Sequence, residues 1–294
     1  MPHTKPPSDI SLTASRFSAV EPSPTSRDAA RELRLRTARR EVTERRRITQ
    51  KLRQALISGG FVLHYQPIIC FKTGLARGAE TLIRLQHSRR GLIPGQHFMP
   101  IAERSDVIID VAGWILATAC HDAAGWPSHF TVATALSLRH LQSGRLVRQL
   151  LESLSRSGLP PERLELEITE AMLLDDNDDT VFALKALRGI GVRLALNNFG
   201  TGYASLAALK RLPFTTLRLD RSLIHNLNEG QGGAAIVHAA IEAGHALGCA
   251  VLADGVETEA QFAKLCEIGA DEGQGPYFSQ PVDVAEMAAM FTHQ

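Results

Sequence analysis

Acidic, amide and basic side chains interrupt or end a series of short apolar runs in this chain. The residues concerned are Glu80, Glu167, Asn197, Asn198, Arg218, Asp220, Asp254 and Glu257. Burying an unpaired polar group costs on the order of 2–7 kcal/mol, so a carboxylate in such a run needs a partner. A structural ion pair explains any one of these positions, but their recurrence at one run after another favours a shared functional site.

Runs with strand character alternate with helical patterns from about residue 60 onward. Strands are predicted at Phe61–Ile68, Gly78–Leu85, Phe130–Ser137, Leu164–Thr169, Val192–Phe199, Thr216–Asp220, Ala250–Ala253 and Gly275–Phe278. Helices are predicted between them, for example at Gly113–Ala124, Leu146–Ser157, Asp179–Gly189 and Ala234–Leu247. This alternation predicts an α/β fold, a (β/α)8 barrel or a doubly wound sheet. The polar strand ends favour the barrel, which gathers them around one mouth.

The bulk properties describe an ordinary globular chain. It has 294 residues, 44% of them apolar and 21% charged, with a net charge of +1 and four cysteines without metal-ligand spacing. The longest apolar stretch, Val107–Cys120, is interrupted by Asp110 and is too short to span a bilayer. We therefore expect a cytoplasmic protein with no membrane contact and no general affinity for nucleic acid.

The first 53 residues differ from the rest. Residues 1–26 are rich in Pro and Ser and are predicted to be disordered. Residues 27–53 contain eleven Lys/Arg and four Asp/Glu and no Pro or Gly, which predicts a basic helix. We assign the basic helical arm to residues 27–45 and the barrel domain to residues 46–294. The arm is either a coiled-coil segment or a solvated helix. Three roles for it are hypotheses: self-association, partner docking and nucleic-acid binding.

A set of motifs in fixed order resembles the EAL domain. The motifs are Tyr65-Gln66-Pro67-Ile68, Glu80-Thr81-Leu82 with Arg84, Phe98–Glu103, Glu165–Glu170, Asn197–Tyr203, Leu217–Asp220, Ala253–Thr258 and Gln274-Gly275. The resemblance covers about residues 46–294. It implies a modified TIM barrel with one antiparallel strand, and hydrolysis of cyclic di-GMP with two divalent ions, usually Mg²⁺ or Mn²⁺.

Several positions match the family pattern. By resemblance, Glu80, Glu167 and Asp220 are metal ligands, and Glu170 anchors the loop at roughly Asn198–Ser205. Glu257 and Gln274 also stand at retained positions.

Other positions depart from the pattern. Ala135 replaces a ligating Asn, Asn197 and Asn198 replace two Asp, Arg218 replaces a Lys, and Asp254 replaces a Glu. The formal charge at these family positions falls from −5 to −3, and an amide bridges two cations poorly. Arg218 is expected to pair with Glu167 or Asp220 in place of a metal.

The resemblance also names ligand-binding groups: Gln66, Leu82, Arg84 and Gln274. Gly113 stands where a guanine-reading acid is expected, which together with Ala135 argues for weakened binding.

We therefore predict a non-catalytic regulator that acts as a metal-independent cyclic di-GMP receptor or as a protein-interaction module. A protein partner is expected, and homodimerisation is left open. No cofactor is expected. The alternative is an active or weakly active cyclic di-GMP phosphodiesterase, and only that alternative calls for Mg²⁺ or Mn²⁺.

Overall fold

A computed structural model describes residues 42–173, 178–201, 206–228 and 230–292. The chain divides into two units, residues 1–46 and residues 47–294. The tail predicted at residues 1–26 and the arm up to residue 41 lie outside the described residues, so both stay predictions. The domain that follows residue 46 is described below.

Nine strands form the sheet in the part of the chain that the structure describes. They are β1 (Phe61–Cys70), β2 (Ala76–His87), β3 (Gly91–Pro94), β4 (Thr131–Ala135), β5 (Leu164–Thr169), β6 (Arg193–Phe199), β7 (Thr216–Leu219), β8 (Ala250–Asp254) and β9 (Glu272–Gln274). The order is β1-β9-β8-β7-β6-β5-β4-β2-β3, and β1 also pairs with β2. Eight strands therefore close into a barrel, and β3 lies outside it on the edge of β2. The barrel is confirmed, and the doubly wound sheet is excluded.

One barrel strand is antiparallel, as the resemblance implied. β1 runs antiparallel to both β2 and β9, and the other barrel neighbours are parallel. The carboxyl ends of the parallel strands consequently share one mouth with the amino-terminal half of β1.

Helices surround the barrel, and of the first of them only residues 47–58 belong to this unit. They are α1 (42–58), α2 (Met99–Ala102), α3 (Val107–Ala124), α4 (Leu138–Gln142), α5 (Leu146–Ser157), α6 (Asp178–Ile190), α7 (Leu206–Arg211), α8 (Arg221–His225), α9 (Gly230–Ala246), α10 (Glu259–Glu267) and α11 (Val284–Thr292). By length and composition alone α3 could cross a bilayer, yet half of its residues are buried within the protein. The apolar core lies between the helices and the outer face of the barrel.

The strand predicted at Gly275–Phe278 is wrong. The last barrel strand is Glu272–Gln274, and residues 275–278 turn away from it. The residues of Glu272–Gln274 do not form an apolar run, so the hydrophobic pattern did not predict this strand. Gly275 begins the turn with φ 149°, and a Cβ there would lie 2.3 Å from the carbonyl oxygen of Val256.

Candidate functional site

The strand register brings most of the predicted site residues to the mouth. Gln66 lies opposite Glu80, and Asp254 lies beside Gln274. Ala135 lies beside Glu167. Paired residues on neighbouring strands point to the same face of a sheet, so these side chains lie on the inner face of the barrel, at the mouth.

Arg218 occupies the centre of this group. Its side chain is fully buried. Nη1 donates to Glu167 Oε1, and Nη2 donates to Glu80 Oε2 and to Gln274 Oε1, the last at 3.0 Å. The predicted ion pair with Glu167 is present, and the second carboxylate is Glu80. The guanidinium therefore neutralises two of the three carboxylates that the resemblance identified as metal ligands.

The other oxygen of Glu167 also has a fixed donor. Asn197 Nδ2 donates to Glu167 Oε2 at 3.0 Å, and Asn197 Oδ1 accepts from the Asn198 amide at 2.8 Å. An aspartate at position 197 could not make the first contact, because an ionised carboxylate has no donor. Asn197 thus holds Glu167 by a hydrogen bond.

Burial sets the electrostatics of this cluster. It raises the pKa of Glu167, which lies next to Glu80, and the Arg218 guanidinium opposes this shift. Burial also disfavours the charged form of Arg218, but attraction to the surrounding carboxylates outweighs it and raises the pKa of that guanidinium. Burial and repulsion from Glu80 raise the pKa of Asp254. Arg218 is consequently the fixed cation of an otherwise acidic site.

Gln274 links the cluster to β1. Its side chain is buried, and Nε2 donates to Glu80 Oε2 at 2.6 Å and to Gln66 Oε1 at 3.1 Å. With Oε1 accepting from Arg218, both ends of this amide are engaged inside the protein. Gln274 therefore positions Gln66, Glu80 and Arg218.

Leu82 and Arg84 follow Glu80 on the same face of β2. Arg84 is half-buried, and its Nη1 lies 3.5 Å from the Ile83 carbonyl oxygen, a weak contact. Partial burial lowers the pKa of Arg84. Its guanidinium is therefore available to an anion at the mouth.

The remaining predicted residues are less closely joined to the cluster. Asp220 caps α8 by accepting from the Ser222 amide at 2.9 Å. The alternative expectation, an ion pair between Asp220 and Arg218, is wrong, because Arg218 bonds Glu167, Glu80 and Gln274 instead. Ala135 is exposed at the end of β4. Glu257 is exposed in the loop after β8.

Glu170 fastens the start of the loop after β6. Its carboxylate accepts from the Gly200 amide at 3.1 Å and from Thr201 Oγ1 at 3.0 Å. This geometry agrees with the loop-anchoring role that the resemblance implied, although residues 202–205 lie outside the described part.

Asn198 has φ 60°, and in the described part of the chain no other residue except glycine has a positive φ. Asparagine tolerates this conformation better than alanine does. We expect Asn198→Ala to lower the free energy of unfolding by about 1 kcal/mol and Asn198→Gly to change it by much less. Urea denaturation of the two variants tests this, and equal losses would contradict a conformational role.

The family model for the EAL domain matches residues 49–281. The chain belongs to the EAL domain family.

Two solved relatives show the extent of the likeness. The PaMucR phosphodiesterase in complex with c-di-GMP is 36% identical with a TM-score of 0.78, over 82% of this chain and 99% of that chain. The FimX EAL domain from Pseudomonas aeruginosa bound to c-di-GMP is 25% identical with a TM-score of 0.74, over 80% and 96%. EAL domains that bind cyclic di-GMP thus share this barrel.

Curated relatives are longer proteins. The bifunctional diguanylate cyclase/cyclic di-GMP phosphodiesterase MucR of Pseudomonas aeruginosa is 36% identical over 250 residues, which are 84% of this chain and 36% of MucR. The cyclic di-GMP phosphodiesterase NbdA of the same organism is also 36% identical, over 83% of this chain and 32% of NbdA. This chain spans about a third of their length.

A second polar layer fills the interior of this EAL barrel below the mouth and was missed from the sequence. Arg77 pairs with Glu272, and Glu165 accepts from Arg193 Nε at 3.2 Å and from Thr216 Oγ1 at 2.7 Å. The nearby arginines lower the pKa of Glu165 although burial alone raises it. The alternation of side chains along a strand could have revealed this layer, because Glu165 precedes Glu167 by two positions on one strand and shares its face.

Gly113 of the EAL domain faces α5. A Cβ at this position would lie 2.6 Å from Nε2 of Gln149, whose Oε1 is 2.6 Å from His140 Nε2. An acidic side chain at residue 113 would therefore push Gln149 away from His140. Glycine at 113 accommodates this contact between helices.

His140 is buried, and desolvation lowers its pKa; Arg145 acts in the same direction, whereas Gln149 and Asp110 oppose it. Since the folded pKa lies below the unfolded one, the unfolded state takes up the proton first and stability is lost as pH falls below about 6.5. We expect His140→Gln to lose less melting temperature than the wild type between pH 7.5 and pH 5.5. Equal losses would contradict a role for His140.

Proposed function

We propose that this EAL domain is a non-catalytic regulator that binds cyclic di-GMP without metal. The observation that carries the proposal is Arg218, a buried guanidinium bonded to Glu167 and Glu80. These are two carboxylates that the family resemblance assigns to divalent ions. In this chain the Arg218 guanidinium binds both carboxylates and supplies the positive charge that the ions would supply.

The donor set does not fit a pair of divalent ions. Such a pair needs charged oxygen ligands, preferably ones that bridge both ions. Asn197 is neutral, points its Nδ2 donor at Glu167, and gives its oxygen to the Asn198 amide. Among the described residues, no group of three His, Cys, Asp or Glu side chains is arranged around a common metal position. These features support a chain without metal-dependent hydrolysis.

Two groups at the mouth support retained nucleotide binding. Arg84 has a half-buried guanidinium whose hydrogen bond to the Ile83 carbonyl is weak. A guanidinium binds a phosphate through two parallel hydrogen bonds. Gln66, held by Gln274, presents an amide at the same end of the barrel. A receptor would use Arg84 for a phosphate and Gln66 and Leu82 for the nucleotide.

A second candidate, a protein-interaction module that no longer binds nucleotide, is favoured by the acidic charge. Glu80, Glu167, Asp220 and Asp254 against Arg218 leave a formal charge of −3 at the family positions. An anionic nucleotide meets repulsion there unless Arg84 compensates for it. Ala135, which lies beside Glu167, has no side-chain donor that could bind the nucleotide.

Calorimetric titration with cyclic di-GMP, once in EDTA and once in Mg²⁺, decides between these functions. Binding of equal affinity in both buffers is the expected result for the receptor. Absence of heat in both buffers would leave the interaction module. Binding that requires Mg²⁺ would contradict both and return the phosphodiesterase alternative.

A further inference from the structure

The Gln66 side chain joins the mouth to a surface segment, residues 275–283, named here the C-terminal strap. Gln66 Oε1 accepts from Gln274, and Gln66 Nε2 donates to the Ser279 carbonyl oxygen at 3.3 Å. This second bond is slightly longer than the usual range for an N–H···O hydrogen bond, so it is weak and costs little to exchange for another acceptor. The amide that the family resemblance assigns to ligand binding is therefore engaged with the strap.

The strap covers the edge of β1 near the mouth. β9 pairs with β1 only at Ile69 and Cys70. Nearer the mouth, Tyr65 pairs with Val282 of the strap through two backbone hydrogen bonds, of 2.7 and 2.9 Å. The strap thus takes the place of a neighbouring strand along the part of β1 that carries Gln66.

The strap leads directly into α11, which packs against β1. Met287 and Phe291 of α11 are buried, and the Phe291 ring lies 5.3 Å from that of Trp126 and 3.8 Å from that of Phe130. By contrast, Val284 and Gln280 are exposed. A change in the strap is therefore presented at the surface where α11 begins.

We propose that Gln66 is a ligand-operated latch. Gln66 Nε2 has two N–H donors, and one of them is directed at the Ser279 carbonyl. A nucleotide that accepts from the other donor and draws the amide toward itself moves Nε2 out of reach of the Ser279 carbonyl, which then turns to water. The strap loses this side-chain tie and keeps its backbone hydrogen bonds to Tyr65 and Val256, so residues 275–283 loosen without unfolding the barrel. Occupancy of the mouth is then readable by a partner at the strap. This inference rests on the proposed nucleotide binding.

Hydrogen–deuterium exchange of the full chain, with and without saturating cyclic di-GMP, tests the latch. Exchange in residues 275–283 is expected to rise about threefold to tenfold on binding, the range that loss of one neutral hydrogen bond produces. Gln66→Leu without nucleotide is expected to exchange at the rate of the liganded wild type. Gln280→Leu, which removes an exposed glutamine of the strap itself, is the control and is expected to leave the unliganded rate unchanged.

Calorimetry on the same samples separates the latch from the receptor function. Binding heat with unchanged or slower strap exchange would overturn the latch and leave the receptor standing. Unliganded Gln66→Leu exchanging like the unliganded wild type would also overturn it, because Gln66 would then not hold the strap. Absence of binding heat would overturn both.

Discussion

Arg218→Met is expected to lower the free energy of unfolding by about 3–5 kcal/mol, the usual cost of removing one partner from a buried ion pair. The guanidinium is fully buried and bonds Glu167, Glu80 and Gln274, so its loss leaves two carboxylates facing each other inside the barrel. Urea denaturation in EDTA at neutral pH measures the change.

Two further variants separate charge from packing in this ion pair. Arg218→Lys keeps the charge but cannot reach Glu167 and Glu80 with two separate nitrogens, so an intermediate loss is expected. Adding Glu167→Gln to Arg218→Met removes one of the unpaired charges and is expected to recover part of the stability. A loss below about 1 kcal/mol in Arg218→Met would show that the pair contributes no more than a typical surface pair.

Arg84→Ala is expected to weaken cyclic di-GMP binding about tenfold to a hundredfold. A hydrogen bond to a charged group contributes roughly 1.5–3 kcal/mol, and each 1.4 kcal/mol is a factor of about ten in affinity. The half-buried guanidinium has little to lose inside the protein, since its contact with the Ile83 carbonyl is weak. Titration calorimetry in EDTA gives the dissociation constant.

The matched control for Arg84 is Arg90→Ala, because Arg90 is exposed in the turn between β2 and β3. It keeps the net charge of the variant equal to that of Arg84→Ala. Equal affinity losses in the two variants would point to general electrostatic attraction and contradict a specific phosphate contact.

The sequence predicted the barrel because its strands are apolar runs and its motifs appear in order. It missed β9, since Glu272 and Gln274 are polar, and it missed β3, a four-residue edge strand of the β2 hairpin. Strand alternation placed Glu80 and Glu167 in one site. Short, polar strands inside a barrel carry no hydrophobic signal, so only the closed structure reveals them.

The partners of the site residues were harder to predict than their positions. The Arg218–Glu167 pair was expected, but the contact with Glu80 crosses the barrel from β7 to β2, a separation that no local pattern encodes. The bond from Gln66 to the Ser279 carbonyl is of the same kind. The lower layer with Arg77 and Glu165 was accessible in principle, because Glu165 shares the face of Glu167.

Quantification of linear dinucleotide product tests the central claim most directly. The chain would be incubated with cyclic di-GMP and either Mg²⁺ or Mn²⁺, next to a variant carrying Ala135→Asn, Asn197→Asp, Asn198→Asp and Arg218→Lys. We expect calorimetry to detect binding in EDTA and the unmodified chain to form no product with either ion. Product from the unmodified chain that EDTA abolishes would contradict the central claim, because the carboxylates held by Arg218 would then bind catalytic ions.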